Sequence, residues 1–355
     1  MELAVLVSGG RTGSDFFQSL LDGHDEILTF PGIFYFDEFL KNLEIEKINP
    51  EILFLKMYKK FFDSRLNSFE RHDQLGINKD QFYLVNENNF IKKFNEISKK
   101  KNISKFEILL NLHLAYAYAK GEDISKKKLI FLHIHHWHRL KSLKKLNFVL
   151  FYTLREPLVN LSSAFKNWTS YNNSKSFSFK QLCFYYDRIR NGIDYCQKLQ
   201  KNKFYIIRLE DIHHKSEIVL KKFCKLFNLE FQNSLYFSTY HNKQWWGDSL
   251  SKKYLNGINK NYSSQVDESL FYDYDIKYLK SAMRIIYSNY YGFDLSNSSF
   301  FFYRPLKMEM ILCMNSLKIL NIFSVLKMIY FSILRYYLLN KKITSEPPKN
   351  IINIE

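Results

Sequence analysis

The chain has 355 residues, 46% of them hydrophobic and 17% aromatic, which is too apolar for a disordered protein and sufficient for one large folded domain. Lys and Arg number 52 against 35 Asp and Glu, a net charge of +17 that favours a phosphorylated ligand, an anionic polymer or an acidic membrane surface. No zinc-finger spacing, RNA-binding aromatic motif or arginine-rich arm supports nucleic acid, and four cysteines without CxxC spacing exclude a disulfide scaffold and indicate a reducing compartment.

The first elements are a strand, a Gly-rich turn and a helix. Residues Leu3 to Val7 form a short apolar run, and Ser8 to Ser14 read Ser-Gly-Gly-Arg-Thr-Gly-Ser. Apolar residues then recur with helical spacing up to Leu21. Because the strand begins almost at residue 1, no room remains for a secretory signal, and we expect a cytoplasmic protein.

Further strands alternate with helices along the chain. Apolar runs predict strands at 129–134, 147–154 and 204–209, while 41–125 is mainly helical in pattern. Such alternation favours a three-layer α/β domain over residues 1–300, with a P-loop-like parallel sheet covered by helices on both faces. Ligand groups should gather beyond the carboxyl ends of the strands.

The segment 306–339 differs from the rest. It is mainly apolar but carries a basic residue every two to three helical turns, so it is no membrane span. It predicts a helical appendage at 301–340, followed by a mobile tail at 341–355. The appendage packs on the core, forms a homodimer contact, or lies on an anionic membrane as a peripheral anchor.

The turn after the first strand is suited to an anion. Backbone N–H groups of a Gly-rich loop and the start of a helix form a cradle for phosphate or sulfate, and Arg11 adds a positive charge. The pattern GxxxxGK[ST] is absent, since Ser14 follows Gly13 where the phosphate-loop lysine would stand. That absence argues against a kinase.

A second motif follows the strand at 147–154. Arg155 ends this strand, Pro157 suits the first turn of a helix, and Ser163 lies eight residues after Arg155. The two motifs together resemble the sulfotransferases that use 3'-phosphoadenosine-5'-phosphosulfate (PAPS). The resemblance implies that Arg155 and Ser163 bind the 3'-phosphate.

In the same family the first loop binds the 5'-phosphosulfate. The resemblance assigns that role to Gly10, Arg11, Thr12, Gly13, Ser14 and Asp15. Asp15 departs from the family, which has a second hydroxyl residue there, and its charge would repel the anion unless it points aside or pairs with Arg11.

Two later segments extend the resemblance. Tyr205 to Ile212 is similar to a strand-end element of bacterial and Golgi-type members, with Leu209 where the family usually has Tyr. The segment from Trp245 to Gly257 resembles the family's late loop over the nucleotide. Its implied nucleotide contacts are Trp246, Gly247, Lys253 and Gly257.

The family implies a base for the acceptor proton. A His near a strand end takes this role in cytosolic members, and His133 and His135 stand at about the right interval before Arg155. If the strand continues they share a face, and His135 is the choice because it is nearer the strand end. Glu38 is the reserve, and the His run lacks a further metal ligand at recognisable spacing, so no metal is expected.

The sequence therefore predicts a sulfotransferase with PAPS as donor, His135 or His133 as base and Arg11 as the cation at the transferring group. The basic charge and the appendage favour a saccharide or glycolipid acceptor. Two alternatives stay open. One is another P-loop-type transferase or kinase, and the other is an inactive membrane-associated adaptor on the same fold.

Overall fold

A computed structural model describes residues 1–98, 103–170, 178–200, 203–250, 254–255, 257–293, 304–317 and 322–340. Five strands form the central sheet, and two short ones form a hairpin. The strands are β1 Glu2–Ser8, β2 Ile27–Thr29, β3 Leu129–His135, β4 Val149–Leu154, β5 Phe204–Arg208, β6 Thr239–Tyr240 and β7 Lys243–Gln244.

The central sheet is parallel throughout, in the order β2-β3-β1-β4-β5. β1 is buried along both faces from Leu3 to Ser8, as its continuous apolar run requires in a sheet covered on two sides. The chain builds one half of the sheet through β2 and β3 and the other through β4 and β5. The order therefore reverses between β1 and β4, where an open α/β sheet forms a crevice.

Helices cover both faces of the sheet, which confirms the predicted α/β class. The helices are α1 Ser14–Leu21, α2 Phe36–Glu46, α3 Pro50–Met57, α4 Lys59–Phe62, α5 Glu87–Ile97, α6 Lys105–Lys120, α7 Pro157–Ser170, α8 Phe179–Asp187, α9 Ile193–Leu199, α10 Leu209–His214, α11 Ser216–Leu226, α12 Asp273–Ala282, α13 Arg284–Tyr291, α14 Lys307–Leu317 and α15 Ile322–Asn340.

The helices between β2 and β3 are joined to the sheet by packed aromatic rings. Phe30, just after β2, lies 4.8 Å from Phe54 of α3 and 5.3 Å from Tyr116 of α6, measured between ring centroids. Each of these rings is almost wholly buried. Large aromatic side chains at such contacts contribute most of the buried apolar area. The helical segment between β2 and β3 is therefore tightly packed against the sheet beside the site.

The C-terminal helices pack on the domain along one face. Phe331 of α15 stacks on Phe179 of α8 with ring centroids 4.4 Å apart. The fully buried guanidinium of Arg335 contacts the buried carboxylate of Glu309 on α14 and donates to the carbonyl of Arg304 at 2.9 Å. A buried pair of this kind fixes how the two helices meet.

The opposite face of α15 is apolar and exposed. Leu326, Ile329, Tyr330, Ile333 and Tyr337 recur at three- and four-residue spacing, and each has at least 45% of its surface exposed. Among the described residues, no helix is long and apolar enough to span a membrane.

Candidate active site

The carboxyl ends of β1 and β4 open into one cavity of about 690 Å³. The loop after β1 and Arg155 after β4 both reach it. Its lining comprises Gly10, Arg11, Gly13, Ser14, Asp15, Phe16, Ile33, Tyr35, Phe69, Glu70, His135, His136, Arg155, Ser163, Lys166, Asn167, Trp168, Tyr185, Arg188, Leu209, His213, Trp245, Asp248, Leu250, Leu255 and Tyr262. A volume of this size suits a nucleotide together with part of an acceptor.

Hydrogen bonds tie the first loop to the neighbouring strand and helix. The hydroxyls of Thr12 and Thr153 are 2.8 Å apart, and the amide of Asn160 donates to the carbonyl of Gly10 at 2.6 Å. The N–H of Gly10 donates to the hydroxyl of Ser8 at 2.7 Å. Thr12 is thus buried beneath the loop and does not line the cavity.

Gly13 is required by both backbone angle and space. Its φ is 80°, in the left-handed region, and a Cβ there would lie 2.4 Å from Cδ1 of Leu209. Leu209, which stands where the family usually has Tyr, packs closely against the loop and also lines the cavity. This close approach places the start of α1 directly at the cavity.

Arg155, the first residue of the second motif, is placed to bind a ligand in the cavity. Its Nε is buried and has no hydrogen-bond partner among the described residues, and its guanidinium lies 5.9 Å from the Tyr262 ring centroid. A buried unsatisfied donor is costly unless something accepts from it. Ser163 lines the same cavity, so the structure brings the two predicted phosphate contacts together.

Glu156 does not neutralise Arg155. Its carboxylate accepts from the hydroxyl of Tyr287, and it accepts from the N–H of Val159 at 2.6 Å. Glu156 therefore caps the start of α7, and burial raises its pKa. The positive charge of Arg155 remains available to the cavity.

A stack of rings lies beside Arg155. His213 lies between Phe16, at 4.9 Å, and Tyr262, at 4.3 Å, with the ring planes within 22° of parallel. The N–H of Asn259 donates to Nδ1 of His213 at 3.1 Å, and burial lowers the His213 pKa to about 4. The stack is therefore neutral at physiological pH, and its flat ring faces suit stacking with a nucleobase.

His135 lines the cavity with a strained backbone. Its φ is 61°, and the pairing of β1 with β3 shifts here, from Leu6 opposite His133 to Val7 opposite His135. Its Nδ1 is buried and finds no hydrogen-bond partner among the residues that the structure describes. Burial first, and then the electrostatic effects of His133, His136, Arg188 and Arg11, hold the pKa of His135 well below its usual value. The imidazole is therefore neutral near pH 7.

The other two base candidates lie outside the cavity lining. Nδ1 of His133 is 2.9 Å from the amide oxygen of Gln18, and burial lowers the His133 pKa to about 3. Glu38 of α2 pairs with Arg139 at 3.3 Å and is half exposed. The structure thus brings together Arg11 and His135, but neither His133 nor Glu38.

Arg188 adds a guanidinium to the cavity besides those of Arg11 and Arg155. It was not predicted from the sequence. It begins a π-helical turn, Arg188–Gly192, and donates to Nδ1 of His136 at 3.0 Å. A Cβ on Gly10 would lie 2.9 Å from its Nη1, so Arg188 lies against the first loop. No sequence signal marks a π turn, although such turns are frequent at functional sites.

Three carboxylates also reach the cavity. Arg11 donates to Asp248 at 2.5 Å, rather than pairing with Asp15. Glu70, from the segment between α4 and α5, accepts from Lys60 at 3.3 Å, and its Oε2 lies 2.9 Å from where a Cβ on Gly32 would be. Glu70 was missed because it comes from a segment far from the motifs, whereas Asp248 lies within the late loop but was not singled out there.

The late loop joins the segment that carries Glu70. The indole of Trp245 lines the cavity and donates to the carbonyl of Glu70 at 2.6 Å, while the indole of Trp246 donates to the carbonyl of Gly76 at 2.7 Å. Trp246, a predicted nucleotide contact, therefore faces this segment and does not line the cavity.

The remaining predicted contacts of the late loop are dispersed. Gly247 is buried with φ 84°, and a Cβ there would meet Leu255, which lines the cavity. Gly257 has open space around it and does not line the cavity. Lys253 lies outside the described residues, as does the predicted mobile tail at 341–355. Among the residues that are described, no group of three metal-ligating side chains is found.

No family model matches the chain, and no curated protein matches its sequence. The chain is similar in structure to a sulfotransferase domain from the curacin biosynthetic pathway, with 16% identity over 76% of this chain and 88% of that one and a TM-score of 0.38. It is also similar to a sulfotransferase domain from the Synechococcus PCC 7002 olefin synthase, with 11% identity over 83% and 95% and a TM-score of 0.40.

We expect Gly13→Ala to lower the free energy of unfolding by about 2 to 4 kcal/mol, because it adds a left-handed alanine and a clash with Leu209. Gly121→Ala is the matched control, since Gly121 has φ 91° and nothing within 4 Å of an added Cβ. It should cost only about 1 kcal/mol. Urea unfolding measures both, and equal costs would show that the contact with Leu209 is not tight.

Proposed function

We propose that this protein is a sulfotransferase that moves the sulfuryl group of PAPS to a hydroxyl or amine of an acceptor. The observation that carries the proposal is the guanidinium of Arg155: its Nε is buried in the cavity that the Gly-rich loop also lines, and it has no hydrogen-bond partner in the part of the chain that the structure describes. One anion site at a helix start and one at a guanidinium suit a nucleotide with anionic groups at two ends.

The residues of the cavity fit such a nucleotide. The backbone of Gly10 to Ser14 and the cation of Arg11 would hold the 5'-phosphosulfate, and Arg155 with Ser163 would hold the 3'-phosphate. The ring stack that ends at Tyr262 is the flat surface for the adenine base. No residue in this set needs a metal to be neutralised, since the guanidinium groups supply the positive charge.

The bound donor supplies a sulfuryl group on a phosphate leaving group, so one displacement forms the acceptor O–S (or N–S) bond and breaks the S–O bond to phosphate. Arg11 and Arg188 lie at the loop and stabilise negative charge on the oxygens of the transferring group. Neutral His135 accepts the proton of the acceptor at Nδ1. The products are the sulfated acceptor and adenosine 3',5'-bisphosphate.

A saccharide or glycolipid is the acceptor class that we favour. The cavity lining includes the aromatic side chains of Tyr35, Phe69 and Trp168. The rings of Phe69 and Trp168 are stacked with their centroids 6.3 Å apart. Amphipathic aromatic rings can pack against the faces of a sugar while polar groups at their edges bind its hydroxyls. The polar groups nearby are Glu70 and His136.

Calorimetric titration with adenosine 3',5'-bisphosphate, beside ATP and without added metal, separates this proposal from its alternatives. Micromolar binding of the bisphosphate and little binding of ATP is the expected result. Preference for ATP would favour a kinase or related P-loop transferase. Binding of neither by folded protein would favour an inactive adaptor.

We expect Arg155→Ala to weaken binding of adenosine 3',5'-bisphosphate by about 2 to 4 kcal/mol, through loss of charge-assisted phosphate contacts. Calorimetry measures the change, and the fold should be unaffected because Nε of Arg155 makes no hydrogen bond to any described residue. Arg65→Ala is the control, since Arg65 pairs with Asp63 at the surface, outside the cavity. Unchanged affinity in Arg155→Ala would show that Arg155 does not bind the 3'-phosphate.

We expect His135→Ala to keep nucleotide affinity and lower turnover by roughly a hundred- to ten-thousand-fold, the contribution of a general base. His138→Ala serves as the control, because His138 belongs to the same run but does not line the cavity. Turnover is followed as transfer of labelled sulfate to a saccharide acceptor. Full activity in His135→Ala would show that another group is the base.

We also propose that the protein works at the inner face of a membrane, bound through the exposed face of α15. This face is apolar with tyrosines, and no acidic residue occurs among the residues of α15. Lys327 belongs to the same helix, and its ammonium lies 5.7 Å from the Phe179 ring centroid. Tyrosine and lysine around an apolar stripe suit the interface of an anionic bilayer.

We expect the protein to sediment with vesicles that contain phosphatidylserine, and less with phosphatidylcholine alone, in a salt-dependent way. Leu326→Ser with Ile333→Ser should weaken this binding by roughly ten- to a hundredfold, since two apolar side chains no longer insert. Ile77→Ser, at an exposed apolar residue of another segment, is the control. A dimer that these changes dissociate, with no vesicle binding, would show that the face is covered by a second copy instead.

A further inference from the structure

We propose that Asp15 binds the 5' end of the nucleotide as a neutral carboxylic acid, donating its O–H to an anionic oxygen, so that nucleotide binding takes up a proton. This inference rests on the proposed function and adds a pH dependence to the same site. It starts from the position of Asp15, in the first turn of α1 at the cavity wall. An anion held by the loop lies next to this side chain.

An ionised Asp15 would have no adequate counter-charge. Arg11, the cation of the loop, is paired with Asp248 at 2.5 Å. His133 approaches Asp15 to 3.6 Å, but its Nδ1 is 2.9 Å from the amide oxygen of Gln18 and its pKa is near 3, so it is neutral. Asp15 thus lies in the cavity without a cation of its own.

The neighbouring carboxylates do have compensation. Glu70 is 3.3 Å from Lys60 and accepts from the amide of Asn67 at 2.9 Å, which keeps its pKa below the usual value despite burial. Glu70 is therefore charged, Asp248 is paired with Arg11, and both line the same cavity as Asp15. When carboxyl groups share a site, the one with the least compensation retains the proton.

The raised pKa of Asp15 is consistent with this arrangement. Burial first, and then Glu70 and Asp248, raise the pKa of Asp15 to about 7, against a smaller opposing effect of Arg11. The enclosed carboxyl still has 29% of its side-chain surface accessible, so protons exchange freely. An anionic phosphosulfate beside it raises the pKa further, which couples binding to proton uptake.

The other groups facing Asp15 do not titrate between pH 7 and pH 9. Burial raises the pKa of Tyr35 and that of Tyr240, whose hydroxyl is 3.4 Å from the Asp15 carbonyl oxygen, so both stay protonated. His135 stays neutral because burial holds its pKa low. A pH dependence of nucleotide affinity in this range is therefore specific to Asp15.

The sign of the effect follows from proton uptake. A protein that binds ligand together with a proton loses affinity as pH rises above the pKa of the free group, by up to about tenfold per pH unit. The affinity for adenosine 3',5'-bisphosphate should therefore fall between pH 7 and pH 9. Above pH 7 the ligand's own phosphates are almost fully ionised, so they contribute little to the slope.

The experiment is calorimetric titration with adenosine 3',5'-bisphosphate at pH 7, 8 and 9, in buffers that differ in ionisation enthalpy. In the unchanged protein the affinity for the bisphosphate should fall by roughly ten- to a hundredfold from pH 7 to pH 9, and binding at pH 8 should take up close to one proton. Asp15→Asn, which cannot ionise, should bind tightly with an affinity that changes less than about twofold. Asp37→Asn, outside the cavity lining, should behave like the unchanged protein.

Three results would overturn the inference. A flat profile in the unchanged protein would show that Asp15 is not protonated on binding. The same slope in Asp15→Asn would assign the proton to another group. Loss of binding at pH 7 in Asp15→Asn would show that the carboxylate itself is needed. If the unchanged protein binds the bisphosphate at no pH, the proposed function fails first, and the inference fails with it.

Discussion

The site depends on the hydrogen bonds that join the loop after β1 to the end of β4. The hydroxyls of Thr12 and Thr153 meet beneath the loop, and Asn160 of α7 holds the Gly10 carbonyl. These contacts are buried, so they are not exchanged for water. Because β1 and β4 are neighbours at the point where the strand order reverses, this connection fixes the loop relative to Arg155.

The parts of the site that lie next to strand ends could be predicted from the sequence. The apolar runs at β1 and β4 are long enough to identify, and a parallel sheet brings their carboxyl ends to one edge. The Gly-rich loop and Arg155 follow these strands directly, so their shared cavity was foreseeable. The three-layer class followed from the same alternation of strands and helices.

Residues whose position depends on distant packing could not be predicted. Glu70 enters from a turn within the helical segment after β2, and Arg188 is turned inward by a π-helical turn. The strand-end histidines also departed from simple alternation, because the register shift at β3 puts His135 in the cavity and leaves His133 buried against Gln18. A bulge of this kind depends on the neighbouring strand, which local sequence does not reveal.

The contacts between the late loop and the segment after α4 bear on how acceptor specificity could change. Trp245 and Trp246 donate to carbonyls of Glu70 and Gly76, residues that lie at least 170 positions earlier in the chain. Two stretches far apart in sequence thus form one wall of the cavity. Exchanging the stretch with Glu70 and Gly76 alone can displace the carbonyls that accept from the indole N–H groups, and exchanging the late loop alone removes the donors. A graft that transfers acceptor preference would therefore have to carry both stretches together, as a single discontinuous module.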